Sequence, residues 1–259
     1  MDRENFERLL ELIVDHEVFK NRSPVAAAQQ THPRYQLAVF LLRMGGGSKS
    51  GSMTLVLAAT AAGVGEGSIV NISRRVPIAI LSLHDTFTHW PTREEKAVLK
   101  QCYAPLENWW YYFSRKSTYA LNAMVVYSDQ RKILYVKASD NSASHDARIF
   151  DGFLLHQRHQ DFFEHGEYLI GDSAYTATDR MVSLYKQPYP SAAHAVFNST
   201  LCAQRIAIEH TFGILKARFP SITNMSIRIQ GHESHKACVD WFIGACILHN
   251  FLRDVDDRE

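Results

Sequence analysis

Charge of one sign is what this sequence most plainly lacks: Lys and Arg exceed Asp and Glu by a single unit, for a formal net charge of +1. No global basic field draws the chain to nucleic acid or to an acidic membrane, so any contact with DNA has to come from local patches. Cysteine is sparse as well. Cys102, Cys202, Cys238 and Cys246 lie far apart with no CxxC pair, which excludes the common zinc spacings and points to reduced, mostly buried thiols. No apolar run approaches the roughly 20 residues of a membrane span. The opening MDRENFERLLELIVDHEVFKNR alternates charged with apolar residues and lacks the apolar core of a signal peptide. An intracellular chain is therefore expected, with the Asn-x-Ser/Thr tripeptides at Asn71, Asn198 and Asn224 as chance matches.

Nucleotide-binding loops are missing too. In GGGSKSGS (45–52), Ser48 stands where a phosphate loop needs glycine before Lys49, and no strand leads in; GVGEGS (63–68) misses the GxGxxG spacing. Both read as turns. No repeat or low-complexity tract is visible.

What is present is an ordinary globular composition, 46% hydrophobic and 21% charged, enough to bury a sizeable core. Apolar residues at helical spacing predict one helix over 3–19 and another from Tyr35 to Arg43. An apolar helix over 54–62, a Gly63-Val64-Gly65 turn and a second helix capped by Ser68 and carrying Arg74 and Arg75 outline a helix-turn-helix. Two core helices joined by a glycine turn give the same pattern, and are the commoner outcome. His89-Trp90-Pro91-Thr92 closes this module, with Thr92 opening a further helix.

From Tyr119 the period changes. Residues 119–127 and 132–137 predict two strands of a hairpin, a helix is expected from His145 to about Arg158, and Glu167–Gly171 is a short apolar strand. A loop rich in Pro, Ser and Ala (187–200) leads to a helix over 203–219. Strands first, then strand and helix alternating, indicate an α/β domain.

Three carboxylates stand where chemistry could occur. Asp172 follows an apolar strand at its carboxyl end, where open α/β sheets place their sites; the same position suits an aspartate that caps a turn. Glu209 lies beside the stripe Ile208, Phe212, Leu215 and Phe219, at the edge of a buried face. Arg205 and Lys216 flank it on the helix and could meet phosphates, although Arg205 and Glu209 are also spaced for a surface ion pair. Asp146, after His145, is either a near-site acid or a helix-start carboxylate.

Taken in order, YALNAMVVYSDQRKILYV, SHDARIF, EYLIGDSAYTATDRMV, RIAIEHTFGILKARFPSI and CILHNFL resemble the DDE endonuclease of PIF/Harbinger-type transposases, most strongly over 119–252. The runs AAGVGEGSIVNISRRV and HWPTREEK are similar to the segment that precedes the nuclease in that family. The resemblance implies a small all-helical module over 1–100, then an RNase H-like nuclease domain over 101–259, a mixed sheet flanked by helices. It implies catalytic acids Asp, Asp and Glu, with Asp172 matching the second and Glu209 the third; Asp146 matches a recurring acid beside them as a further candidate metal ligand. Mg²⁺ or Mn²⁺ as cofactor, DNA as substrate, a separate DNA-binding partner protein and a nuclear location follow from the same likeness, with Arg74, Arg75, Arg205 and Lys216 as candidate DNA contacts. The family's first acid stands in an (I/V)DGT strand; here the corresponding run reads KQCYAPLENWW, with no such aspartate. The expectation is that this strand and its acid are both missing and that cleavage of DNA phosphodiesters is impaired. The alternative is an inactive descendant that binds DNA or a protein. Asp172 and Glu209 are expected to share one cleft, with the strand ending at Gly171 beside the 119–127 strand or its neighbour.

Overall fold

A computed structural model of the chain describes residues 1–20, 30–46, 53–96, 111–112, 122–128, 130–139, 154–223, 225 and 232–256. It divides into two units, one made of Met1–Phe87 with Ile214–Glu259 and the other of Thr88–Gly213.

The first unit is helical. Helix α1 spans Arg3–Ile13, capped by Asp2, which accepts the Asn5 N–H at 2.8 Å, and it buries Leu9, Leu10 and Ile13 on one face. It is shorter than its apolar pattern predicts: His16 takes the Val18 N–H and turns the chain into a single 3₁₀ turn, Glu17–Phe19. Helix α2, Pro33–Gly45, opens on a proline, whose missing N–H has no intrahelical partner to lose. Helix α3, Leu55–Ala62, is capped by Thr54 and ends at Gly63, whose φ of 66° is the left-handed conformation a glycine adopts freely. Helix α4, Glu66–Leu81, starts from Gly65 rather than from the expected Ser68, and α3 and α4 bend by 98° across the turn. The short α5 is His84–Phe87.

The unit closes on residues from the far end of the sequence. The last helix, His232–Asp256, packs against α4 and α5. Trp241 meets Phe40 edge-on at 4.9 Å, Phe251 meets Phe87 at 5.4 Å, and buried Asn250 donates to the Phe87 carbonyl at 2.5 Å. Arg43 is buried over the Trp241 ring and donates to Ser73 Oγ; burial lowers the pKa of its guanidinium. A helical module ending near residue 100 and a second domain running on to 259 therefore need correcting: α4 and α5 bury apolar faces that the C-terminal helix covers. No single helix among the described residues is long and apolar enough to cross a membrane.

The second unit is built on a five-stranded sheet in the order β3-β2-β1-β4-β5. Here β1 is Tyr111–Tyr112, β2 Asn122–Tyr127, β3 Ile133–Ser139, β4 Leu169–Gly171 and β5 Met181–Ser183. Strands β2 and β3 form the expected hairpin, tightened by Arg131 at φ 64°. Strand β1 is antiparallel to β2 and parallel to β4, and β4 is parallel to β5. Thus β4 runs beside the neighbour of the 122–127 strand, as expected. The expectation that the central strand is absent does not hold: Tyr111–Tyr112 occupies that place, pairing Tyr111 with Tyr127 on one side and Ile170 on the other. Two β-prone tyrosines supply the ladder that the expected motif would have supplied.

Short helices α6 (Leu154–Gln157) and α7 (His159–Phe162) precede β4. Leu155, Phe163, Leu169, Tyr175 and Met181 pack with Met124, Val126 and Leu134 into the core of this unit, and Trp90 lies against it. Helix α8 runs Ala192–Arg218, 27 residues, so the expected loop over 187–200 is cut short at Ser191, whose carbonyl takes the His194 N–H. The run Ala192-Ala193-His194-Ala195 has the helix propensity to extend the element upstream.

Candidate functional site

The loop entering β4 is held by three separate donors. Trp90 Nε1 donates to the Phe162 carbonyl at 2.6 Å, Lys96 Nζ donates to the same carbonyl at 2.8 Å, and Arg180 Nη1 donates to the carbonyls of Glu164 and Glu167. Lys96 also pairs with Glu167 at 2.8 Å, both side chains almost wholly buried, and Glu167 Oε2 accepts the Glu164 N–H as well. Composition and spacing gave no warning of this pair; the one available signal was a glutamate set directly against an apolar strand. Lys96 sits on the helical turn 93–96, which opens with a reciprocal cap. Thr92 Oγ1 takes the Glu95 N–H and Glu95 takes the Thr92 N–H, with His89 also on the Glu95 carboxylate.

This bracing fixes the strand that delivers Asp172. A Cβ on Gly171 would stand 2.8 Å from the Tyr175 ring and 2.9 Å from Met181 Sδ, so only glycine lets Tyr175 fold back over the strand end. Asp172 is half-buried; its Oδ1 accepts the Ala174 N–H at 2.8 Å and its carbonyl accepts the Tyr175 N–H at 3.2 Å. The aspartate does cap a turn. That bond occupies one carboxylate oxygen, in an Asx arrangement that aims the side chain.

On α8, Ile208, Leu215 and Phe219 are buried and Phe212 meets Tyr127 edge-on at 5.4 Å, while Glu209 is exposed immediately beside Ile208. Arg205 is half-buried and Lys216 exposed. Asp172 and Glu209 belong to the same unit. Asp146 lies outside the described residues. On α4, Arg74 is exposed and Arg75 half-buried.

Carboxylate oxygens are the donor type that Mg²⁺ and Mn²⁺ take. Among the described residues, no group of three His, Cys, Asp or Glu side chains is placed to hold a metal ion. Strand β1, parallel to the strand that leads into Asp172, reads Tyr111-Tyr112.

Comparison with known families matches the chain to the family described as DDE superfamily endonuclease, over residues 97–250, more than half of the chain. Among curated proteins and among solved structures nothing matches.

Proposed function

Because the chain belongs to the DDE superfamily endonucleases, we propose that it is a transposase-derived endonuclease domain of the Harbinger kind and RNase H-like fold, whose cutting of DNA is impaired by the loss of its first acid. The observation that carries this reading is the pairing of β1 with β4. The sheet order, with one hairpin antiparallel to a parallel core, brings the central strand beside the strand that ends just before Asp172, and the central strand reads Tyr111-Tyr112.

A divalent metal supplies two things to such a reaction, a more acidic nucleophilic water or hydroxyl and charge neutralisation at the leaving oxygen. The chain's own contribution is to hold ligands and to position DNA. Asp172 offers the oxygen not engaged by Ala174, and Glu209 offers an exposed carboxylate. Arg205, Lys216, Arg74 and Arg75 are the proposed phosphate contacts, which orient a duplex without reading its sequence. Two carboxylates leave dications short of the negative charge that offsets their repulsion. The second reading, a non-cutting descendant that binds DNA or a protein partner in the nucleus, is favoured by the same tyrosines.

In the sequence Phe113 directly follows β1, as Asp172 directly follows β4. Phe113→Asp is therefore the substitution that tests the reading. The unmodified chain, given Mg²⁺ or Mn²⁺ and duplex DNA, should show negligible cutting. The Phe113→Asp chain should cut, and Asp172→Ala or Glu209→Gln in that background should abolish it. Robust metal-dependent cutting by the unmodified chain, lost in Glu209→Gln, would remove the impairment from the proposal. A folded Phe113→Asp chain that still does not cut would favour the non-cutting descendant.

A further inference from the structure

We propose that the surface from Tyr185 to Phe197 is a stacking platform for unpaired nucleobases of DNA, an inference that rests on the endonuclease reading and adds a binding site to it. Among the described residues, the large aromatic side chains that are exposed are Tyr185, Tyr189 and Phe197, at 45%, 37% and 39%. All three fall within one short stretch between β5 and the first turns of α8. Val196, 67% exposed, adjoins them. Aromatic rings left in water at one place cost solvation that a bound planar partner recovers.

The rings stand on a built framework. Asn198 is buried; its side chain accepts the Tyr185 N–H at 3.0 Å and donates to the Tyr185 carbonyl at 2.9 Å. That clamp fixes the backbone and leaves the ring outside. The Tyr185 ring meets His194 edge-on at 4.2 Å and Phe197 at 5.3 Å. Gln187 donates to the Tyr189 hydroxyl at 3.2 Å, and Ser191 bonds His194 at 2.8 Å. The platform is thus ordered before any ligand arrives, which lowers the entropy lost on binding.

Charge selects the partner. From Arg180 through Ile208 the sequence contains no Asp or Glu, while it carries Lys186 and Arg205 together with His194. In a chain of net charge +1, a stretch free of acid with exposed aromatics suits an anionic, planar ligand. Phosphates meet the cations and base faces meet the rings, the combination by which proteins hold single strands. Base pairs inside a duplex have both faces covered by their neighbours, so unpaired bases are the ones free to enter between these rings. Phe197 precedes Glu209 by twelve residues on one helix, about 18 Å at the helical rise, so a strand leaving the acid would reach the platform within a few nucleotides.

The test uses the whole chain in the presence of a metal chelator, with two duplexes, one blunt and one with a short single-stranded overhang containing 2-aminopurine. The overhang duplex should bind roughly tenfold more tightly than the blunt one, by the usual strength of base–aromatic stacking, and 2-aminopurine fluorescence should be quenched. Tyr185→Ala and Phe197→Ala should remove both the preference and the quenching, whereas Tyr185→Phe keeps them; circular dichroism confirms that each variant folds. Blunt and overhang duplexes bound equally, without quenching, would overturn the platform and leave the endonuclease reading standing. Binding to neither duplex would count against both. Quenching that persists in both alanine variants would likewise overturn the assignment.

Discussion

In the helical unit, burial falls on regular stripes: Leu9 and Ile13 on α1, Leu37 and Phe40 on α2, Ile69, Ile72, Val76 and Ile80 on α4, all nearly or wholly shielded from solvent. In the sheet unit the strands are short, β1, β4 and β5 having two or three residues each, and polar groups hold the element that matters. Trp90, Lys96 and Arg180 pin the loop into β4, and Gly171, Asp172 and Tyr175 form the turn that leaves it. The difference lies in what holds each unit. The helical unit relies on non-directional burial. In the sheet unit directional bonds fix the loop into β4 in one register.

The largest test of that contrast is the buried ion pair. Lys96→Met should destabilise the sheet unit by about 3–5 kcal/mol, because it leaves Glu167 buried without its cation; Lys96→Met with Glu167→Leu should recover most of the loss. Hydrogen exchange at the amides of β4 and β5 reads the effect, and an unchanged rate in Lys96→Met would break the claim that polar bonds carry this unit. In the helical unit, Phe251→Ala should cost a comparable ~3–5 kcal/mol by packing alone, read by denaturant unfolding, with no polar double substitution able to restore it.

Gly171→Ala comes next, at about 1–3 kcal/mol of overpacking against Tyr175 and Met181. Combining it with Met181→Ala should be less than additive, and full additivity in thermal melts would show that the contact is not what excludes the methyl group. The smallest effect concerns the Thr92–Glu95 cap. Burial pushes the Glu95 carboxyl up, but the Thr92 N–H and His89 outweigh it and hold the group below its ordinary value. Its contribution is therefore present above the unfolded carboxylate range and is lost as pH falls through the lowered folded value. Thr92→Ala should cost about 1 kcal/mol, whereas Glu95→Gln, which removes the titrating group, should flatten that acid-side dependence. A Glu95→Gln chain with the original pH profile would assign the dependence elsewhere.

Much of this arrangement could be read from residues. The hairpin of β2 and β3, the strand that ends at Gly171, the Gly63 turn and the cap at Thr92 all announce themselves through local chemistry: alternation, a glycine at positive φ, a Thr followed three residues later by Glu. Elements governed by distant partners did not. Tyr111–Tyr112 is too short to show a period, and it is a strand because β2 and β4 supply its ladder on both sides. The start of α8 was hidden by Pro188, Pro190 and Ser191, which read as loop until the alanines after them are given weight. At the candidate site, Asp172 and Glu209 were legible as an acid at a strand end and an acid beside an apolar stripe. Lys96 and Glu167 were not, since 71 residues of sequence separate them.

The discontinuity of the helical unit sets an order of events during synthesis. Residues 88–213 are contiguous and leave the ribosome complete, whereas α1 to α5 must wait for the helix at His232–Asp256 before Phe87, Ile80 and Phe40 are covered. At about 5–20 residues per second, that wait is on the order of ten to thirty seconds. For that interval the apolar faces of α2 and α4 stand open to chaperones and to like faces on neighbouring nascent chains. Premature termination between residues 213 and 232 would thus release a finished sheet unit tethered to an unfinished helical one.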